Sequence, residues 1–372
     1  MKRPDGFSFD DIAGHGRVKE RLLKLVRSPG KPNSMVFSGP EGVGKLLCAN
    51  AYTAAILCQS PGDSGACGVC NSCRSLQAGL NLNVAYWFRK KQTTTISQMR
   101  HLTELAAFAP AGSRYKVNVI QDGDSLNEEA SNSILKTIED SPEYLITLIL
   151  YNNPANALAT IRSRSFNIPL QPLDTETVRR HMAGLYGGSP RAAFAAGACG
   201  GSIGRARLLM ESSCLDEARD LASDIVTGAK RDVFSLLRLS ERAMALDFNS
   251  GNTSEEEEKN ILDSGDDFLM KPFEPRLAQT DNLGVFCELA ALWLRDILLV
   301  MTGGPEKDLV NADRRELLVR QARAFGSPAA VTAMIDELHR EQERLGANAN
   351  VRLSVDGMMC RLCDICMSDK KA

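Results

Sequence analysis

Two groups of residues in this sequence have the types and the spacing to do chemistry. The first is Gly39-Pro40-Glu41-Gly42-Val43-Gly44-Lys45, set between an apolar run and a helical pattern. Glycines there let backbone N–H groups converge on phosphate oxygens, and Lys45 reaches the terminal phosphates. The helix that follows turns the positive end of its dipole toward the same anion. Such a loop needs Ser or Thr next, to set a hydroxyl on Mg2+. The chain has Leu46, which cannot ligate a metal. The partner acid, Asp followed by Glu at the end of a later strand, is replaced by Gln121-Asp122-Gly123-Asp124. Gln121 is neutral, and Asp122 is one carbon shorter than a glutamate that orients an attacking water. Two magnesium-directed positions are lost while Gly39, Gly42, Gly44 and Lys45 keep the loop's own chemistry. That leaves either a site for ATP or ADP without turnover, or a loop that only shapes a strand-to-helix turn.

The second group is Cys58, Cys67, Cys70 and Cys73, a C-x8-C-x2-C-x2-C spacing. Four thiolates surround Zn2+ tetrahedrally, and tight C-x2-C turns meet the short distances between ligands. Residues 59–66, with Pro61, Gly62 and Gly65, form a loop able to fold back. A closed four-thiolate site has no open position for a substrate, so the expected role of the zinc is structural. A further set, Cys360, Cys363 and Cys366, repeats every three residues in a helical context beside Leu353, Met359 and Leu362. With only three ligands on one helix face, it reads as core packing.

These groups need a scaffold, and residues 34–171 supply the pattern of one. Short apolar runs alternate with helical periodicity, the signature of a parallel α/β sheet. Strands are expected at 34–37, 115–121, 145–151 and 166–170, and helices at 44–58, 96–108 and 126–140, the last stopped by Ser141-Pro142. Beyond Pro172 the strand signals vanish. Residues 173–230 read as a small helical domain, with Gly200-Gly201-Ser202 breaking two helices. Residues 231–372 read as a third, all-helical block. It is interrupted near 247–270, where residues 247–267 hold eight acidic side chains and one lysine. That run reads as a solvated excursion, with a basic partner as the alternative.

Composition limits the functions open to the chain. Its 372 residues are 44% hydrophobic and 24% charged, with a formal net charge of −2, so no global field draws it to nucleic acid. Met1-Lys2-Arg3 leads into Pro4-Asp5-Gly6 rather than an apolar targeting segment. The most apolar stretch, 289–301, is short for a bilayer and contains Arg295-Asp296. A cytoplasmic protein is expected, with its eleven cysteines reduced and the clustered ones available as metal ligands.

The order of these features resembles the bacterial clamp-loader branch of AAA+ proteins across nearly the whole chain. Phe9-Asp10-Asp11-Ile12-Ala13-Gly14-His15 is similar to the segment that leads into the first helix of that family. The four-cysteine insertion after the phosphate-loop helix resembles that of its gamma/tau and delta-prime members. Asn132 to Asp140 resembles the family's Asn-x-Leu-Leu-Lys-x-Leu-Glu-Glu helix, and Ser163-Arg164-Ser165 stands where the family has Ser-Arg-Cys. The resemblance implies a three-part architecture: an AAA+ domain with a zinc module over 1–172, a helical lid over 173–230 and a helical collar over 231–372.

It also implies a mechanism. In the family that arginine enters the neighbouring subunit's ATP site and stabilises charge on the γ-phosphate, so Arg164 is the expected finger, with Arg162 as a nearby helper. The departures carry weight too. Gly204 stands near the place of a lid arginine, with Arg205 one residue off; Asn152 is near the polar sensor position; Asn81-Leu82-Asn83 replaces a His-Pro-Asp. A finger kept while hydrolytic parts are lost is the delta-prime pattern, and Trp293 to Leu299 and Asn348 to Leu353 resemble its collar helices. The implied partners are gamma/tau and delta subunits, with the sliding clamp and primer-template DNA met through the complex. The rival expectation is an active gamma/tau-type ATPase.

Overall fold

A computed structural model describes residues 7–87, 108–229, 233–248, 281–345 and 351–369. The helix expected at 96–108, almost all of the acidic run at 247–267, and Asn348 to Asn350 lie outside the described residues. Contacts divide the described chain into two compact units. The first holds residues up to His181 together with Gly201–Gly204. The second holds Met182–Gly200 and the described residues from Arg205 onward.

The first unit is built on five parallel strands: β1 (Ser34–Ser38), β2 (Val84–Trp87), β3 (Lys116–Ile120), β4 (Leu145–Tyr151) and β5 (Phe166–Pro169). Their order is β2-β3-β4-β1-β5, so β1 lies between β4 and the edge strand β5. β1 to β4 are buried along their whole length, as a parallel sheet covered on both faces requires. Alternation sorts the side chains by face. Met35, Phe37, Val117, Val119, Ile146 and Leu148 join one core, which also takes in α1 (Gly16–Arg27), α2 (Lys45–Leu57) and α3 (Asn71–Gln77). Val36, Ile120 and Ile149 face the other, packed by α4 (Glu128–Glu139) and α5 (Ala159–Arg164). α4 starts where the Asn127 side chain accepts the Ala130 N–H at 2.8 Å, and its Ala130, Ile134 and Ile138 fall one or two turns apart against the sheet. The C-terminal ends of β1, β3 and β4 lie side by side, the edge where doubly wound sheets bind ligands.

The strands and helices expected at 34–37, 44–58, 115–121, 126–140, 145–151 and 166–170 are present within one or two residues at each end. β2, α3 and α5 are additions, and α1 is the first helix that only the family resemblance implied.

The second unit is helical: part of α6 (Thr175–Tyr186), α7 (Pro190–Ala198), most of α8 (Ile203–Glu211), then α9 (Leu215–Ala229), α10 (Val233–Met244), α11 (Asn282–Met301), α12 (Arg315–Ala322), α13 (Pro328–Leu345) and α14 (Val351–Asp369). One core runs through it from Phe194 to Cys366. Trp293 is buried and donates its ring N–H to Gln321 Oε1 at 2.7 Å, and Gln321 in turn donates to Ser223. Asp296, fully buried, accepts the backbone N–H groups of Val310 and Asn311 at 3.3 and 2.7 Å. Trp293, Leu294 and Asp296 are therefore internal anchors of the bundle, while Arg295 is exposed. Cys363 and Cys366 are in this core, and Cys360 is half-buried. Leu353, expected beside them, is 74% exposed, because it sits in the first turn of α14, away from the stripe carrying Val355, Met359 and Leu362. Among the described residues, no helix is long and apolar enough to cross a membrane.

Candidate functional site

The phosphate loop leaves β1 at Ser38. Gly39 donates to the Tyr151 carbonyl at 3.1 Å, and Leu170 donates back to Ser38 at 2.7 Å, which pins the loop between the ends of β4 and β5. Gly39, Gly42 and Gly44 have φ of 148°, 69° and 107°, values that only glycine adopts without strain. At Gly39 a Cβ would also lie 2.3 Å from the Leu170 carbonyl oxygen. His15, at the N-cap of α1, sets Nε2 2.8 Å from the Val43 carbonyl. A carbonyl only accepts, so Nε2 carries the proton. Burial holds the imidazole below its usual range, which favours that neutral form.

Lys45 is the charged centre of the loop and is 7% exposed. Its ammonium donates to the carbonyls of Gly39 and Pro40 and to Asn152 Oδ1, each at 2.7 Å. Burial pushes its pKa down to about 8, against the pull of Glu41 and Asp124. Asn152 is held from behind by the Asp124 carboxylate, which accepts the N–H groups of Asn152 and Asn153 at 2.5 and 3.2 Å and the Asn156 side-chain amide at 2.9 Å. Gly123 lets that turn close: a Cβ there would lie 2.8 Å from the Tyr151 ring and 2.9 Å from the Leu150 carbonyl. So Gly123-Asp124 has a use that the sequence did not disclose, as the anchor of the loop after β4. Leu46 packs at the margin of the core. Gln121 extends the sheet, donating its backbone N–H to Trp87 at 2.8 Å.

The segment Gly201–Gly204 meets the loop within the same unit. Ser202 Oγ donates to the Glu41 carbonyl at 2.8 Å, and the Gly204 N–H donates to Gly42 at 2.9 Å. A Cβ at Gly204 would lie 2.7 Å from Gly42 Cα. The place of a lid arginine is thus occupied by backbone. Arg205, in the second unit, pairs with Glu288 instead. The sequence marks Ser202 only as part of a helix break, not as a contact of the loop.

The ligand atoms of Cys58, Cys67, Cys70 and Cys73 all lie within 4.8 Å of one another. Cys58 and Cys70 sulfurs are 4.0 Å apart, and Cys67 and Cys73 sulfurs 3.9 Å. These are far beyond a disulfide and close to the separation of about 3.8 Å that a tetrahedral ion with bonds of ~2.3 Å imposes. Backbone N–H groups of Ser60 and Cys67 point at the Cys58 sulfur, that of Cys70 at Cys67, and that of Cys73 at Cys70, all at 3.3–3.4 Å. Donors of this kind stabilise thiolates, so the donor set fits a soft divalent metal such as zinc. The loop between Cys58 and Cys67 docks on the leading segment: Ser64 accepts from Phe9 N–H and Ser8 Oγ at 3.2 and 3.0 Å, and Arg27 pairs with Asp63 at 2.8 Å.

Arg164 is apart from both groups, the last residue of α5 beside the edge strand. It is near half exposed and pairs through Nε with Glu139 at 2.6 Å. Ser165 is buried, its hydroxyl 2.7 Å from Ser34 Oγ. The neighbouring Arg162 is exposed, its nearest acceptor the Pro154 carbonyl at 3.5 Å.

Residues 14–174 match the family described as DNA polymerase III, delta subunit. The tau subunit of Escherichia coli (strain K12) is 29% identical over 175 residues, 47% of this chain and 27% of that protein. The tau subunit of Bacillus subtilis (strain 168) is 21% identical over 369 residues, 95% of this chain and 61% of that protein. The delta' subunit of Pseudomonas aeruginosa (strain PAO1) is 33% identical over 135 residues, 36% of this chain and 41% of that protein. The chain thus spans less than two thirds of the length of these relatives. Among solved structures, a DNA polymerase III gamma subunit-related protein from Thermotoga maritima is 16% identical, covering 73% of this chain and 97% of that one at a TM-score of 0.37.

Proposed function

Because the chain is, on the match of residues 14–174, a member of the clamp-loader AAA+ family, we propose that it serves the DNA polymerase III clamp loader as a delta-prime-type subunit. In this reading it joins gamma/tau and delta subunits in a ring that sets the sliding clamp on primed DNA. It does not turn over ATP; it supplies Arg164 to a neighbour's ATP. The observation that carries the reading is a division within one domain. The magnesium-directed positions are Leu46 and Gln121, and Lys45 is engaged by Asn152, while Arg164 stands half exposed beside the edge strand. Gly39, Gly42, Gly44 and Lys45 are the residues that would hold ATP or ADP, through backbone N–H groups and the ammonium. Cys58, Cys67, Cys70 and Cys73 would hold Zn2+, which supplies a rigid cross-link and no chemistry. The lid role of 173–230 and the collar role of 231–372 belong to the same proposal.

A fingertip arginine acts in another chain, so the test is in trans. Arg164→Ala should fold and assemble with gamma/tau and delta subunits and lower the DNA- and clamp-stimulated ATPase of the complex. Arg164→Lys should restore it only in part, since an ammonium lacks the planar fork that meets two oxygens. A mutant complex that assembles and hydrolyses at the wild-type rate removes the finger from the proposal, and failure to assemble with gamma/tau at all removes the clamp loader.

The second reading, an active gamma/tau-type ATPase, draws support from the complete glycine set and from the tau relatives. Steady-state hydrolysis by the isolated chain separates the two.

A further inference from the structure

The Arg164 guanidinium is already gripped, and by the edge that an incoming phosphate has least need of. Its Nε lies 2.6 Å from Oε1 of Glu139, the last residue of α4. Nη1 reaches only the Thr160 carbonyl, at 3.5 Å and one turn back on α5. No described residue accepts from Nη2. A guanidinium has five N–H donors in a fixed plane, and an ion pair at the Nε edge leaves the terminal fork for a second anion. A carboxylate bridging both terminal nitrogens would instead compete for the groups that a phosphate needs.

Glu139 is itself well fixed. α4 is capped by Asn127 and buries Ala130, Ile134 and Ile138 against the sheet. α5 packs beside it and buries Ile161 in the same core. The two helix ends that carry Glu139 and Arg164 are therefore held in register by apolar contacts that do not depend on the ion pair. At 47% and 45% exposure, the pair itself adds little to folding stability. Its effect is on geometry: a long side chain with many rotamers is narrowed to those that keep Nε on the carboxylate.

We infer that Glu139 is a positioning residue for Arg164, orienting the guanidinium by its inner edge so that the terminal N–H groups are preset for a phosphate oxygen on a neighbouring chain. The inference rests on the reading of Arg164 as a finger, and its test keeps the two separable. The clamp-loader complex is reconstituted with this chain as wild type, Glu139→Ala, Glu139→Gln, Glu139→Asp, Arg164→Ala and the double variant Glu139→Ala/Arg164→Ala. kcat and KM for ATP are measured with clamp and primed DNA present. Glu139→Ala should remove most of the kcat that Arg164→Ala removes, leave KM for ATP unchanged, and cause no further loss when combined with Arg164→Ala. Glu139→Gln, which keeps the length of the side chain and loses the charge of the ion pair, should fall with Ala. Glu139→Asp, which keeps the charge and loses the reach, should fall with Ala, and it carries the test if the Ala variant assembles poorly. Wild-type or higher kcat in Glu139→Ala and Glu139→Asp, with Arg164→Ala impaired, overturns the positioning role and leaves the finger. An equal further loss in the double variant also overturns it, since Glu139 would then act elsewhere. An unimpaired Arg164→Ala complex overturns both.

Discussion

The ammonium of Lys45 lies 2.7 Å from Oδ1 of Asn152, a contact across 107 residues that ties the phosphate loop to the end of β4. With the Gly39 and Pro40 carbonyls at the same distance, three neutral oxygens solvate the charge that a phosphate would otherwise meet. Asp124 fixes Asn152 by its backbone N–H. Ser202 and Gly204 occupy the outer carbonyls of the loop, at Glu41 and Gly42. A polyphosphate entering here would have to exchange for these contacts rather than fill an open cradle.

The buried lysine should be visible in the pH dependence of stability. Burial holds Lys45 at about 8, against an ordinary 10.5. Between those values the unfolded chain binds the proton and the native one does not, so stability rises with pH across the window. Below pH 8 both states are charged and the native state bears the full burial cost. Lys45→Met removes the dependence. The difference in unfolding free energy, wild type minus Lys45→Met, should therefore shift toward wild type by about 3 kcal/mol from pH 8 to 10.5. Urea titrations across that range measure it; a flat difference would mean that Lys45 titrates normally.

One tightly bound Zn2+ per chain is expected at the four cysteines. Elemental analysis of protein purified without chelator, with its thiols confirmed reduced, should give close to one equivalent, and Cys73→Ser should lose most of it. Because Ser64 bonds to Ser8 and Phe9, chelation should loosen the leading segment as well as residues 58–73. Amide exchange at Phe9 and Ile12 reads that out.

The isolated chain should not hydrolyse ATP above background, since neither Leu46 nor Gln121 can help to hold magnesium in the usual way. Turnover at gamma-like rates that Lys45→Ala abolishes would decide for the active ATPase instead.

Two glycines in helices should respond oppositely to alanine. At Gly204 the new methyl meets the Gly42 backbone at 2.7 Å, and a loss of about 1–3 kcal/mol is expected. At Gly184 no heavy atom lies within 4 Å, and alanine should stabilise α6 by up to about 1 kcal/mol. Thermal melts of the two variants give the comparison directly.

Much of the first unit is legible in the sequence because its signals are local. β4 is apolar but for Thr147, the loop glycines and Lys45 fall in one seven-residue stretch, and the cysteines are spaced as ligands. β2, as short as β5, escapes because Val84–Trp87 runs on into Phe88-Arg89-Lys90-Lys91 with no Gly or Pro to close it. Asp124 escapes for a different reason. Its role depends on three nitrogens 28 to 32 residues away, and nothing in Gly123-Asp124 by itself separates an anchor from a failed catalytic acid. Glu139 was legible as a position in a helix motif, but its partner on α5 was not, since the pairing follows from how α4 and α5 pack.

The strand order has a consequence for synthesis. β1 leaves the ribosome early, yet both of its hydrogen-bonding neighbours come late, with Ser34 opposite Thr147 and Met35 opposite Phe166. At elongation rates of roughly 5–20 residues per second, the nascent Met-Val-Phe segment waits on the order of ten seconds with both edges unpaired. An apolar strand in that condition invites pairing with other chains. The four cysteines all fall within residues 58–73, so the whole ligand set has been made before any of β2 to β5.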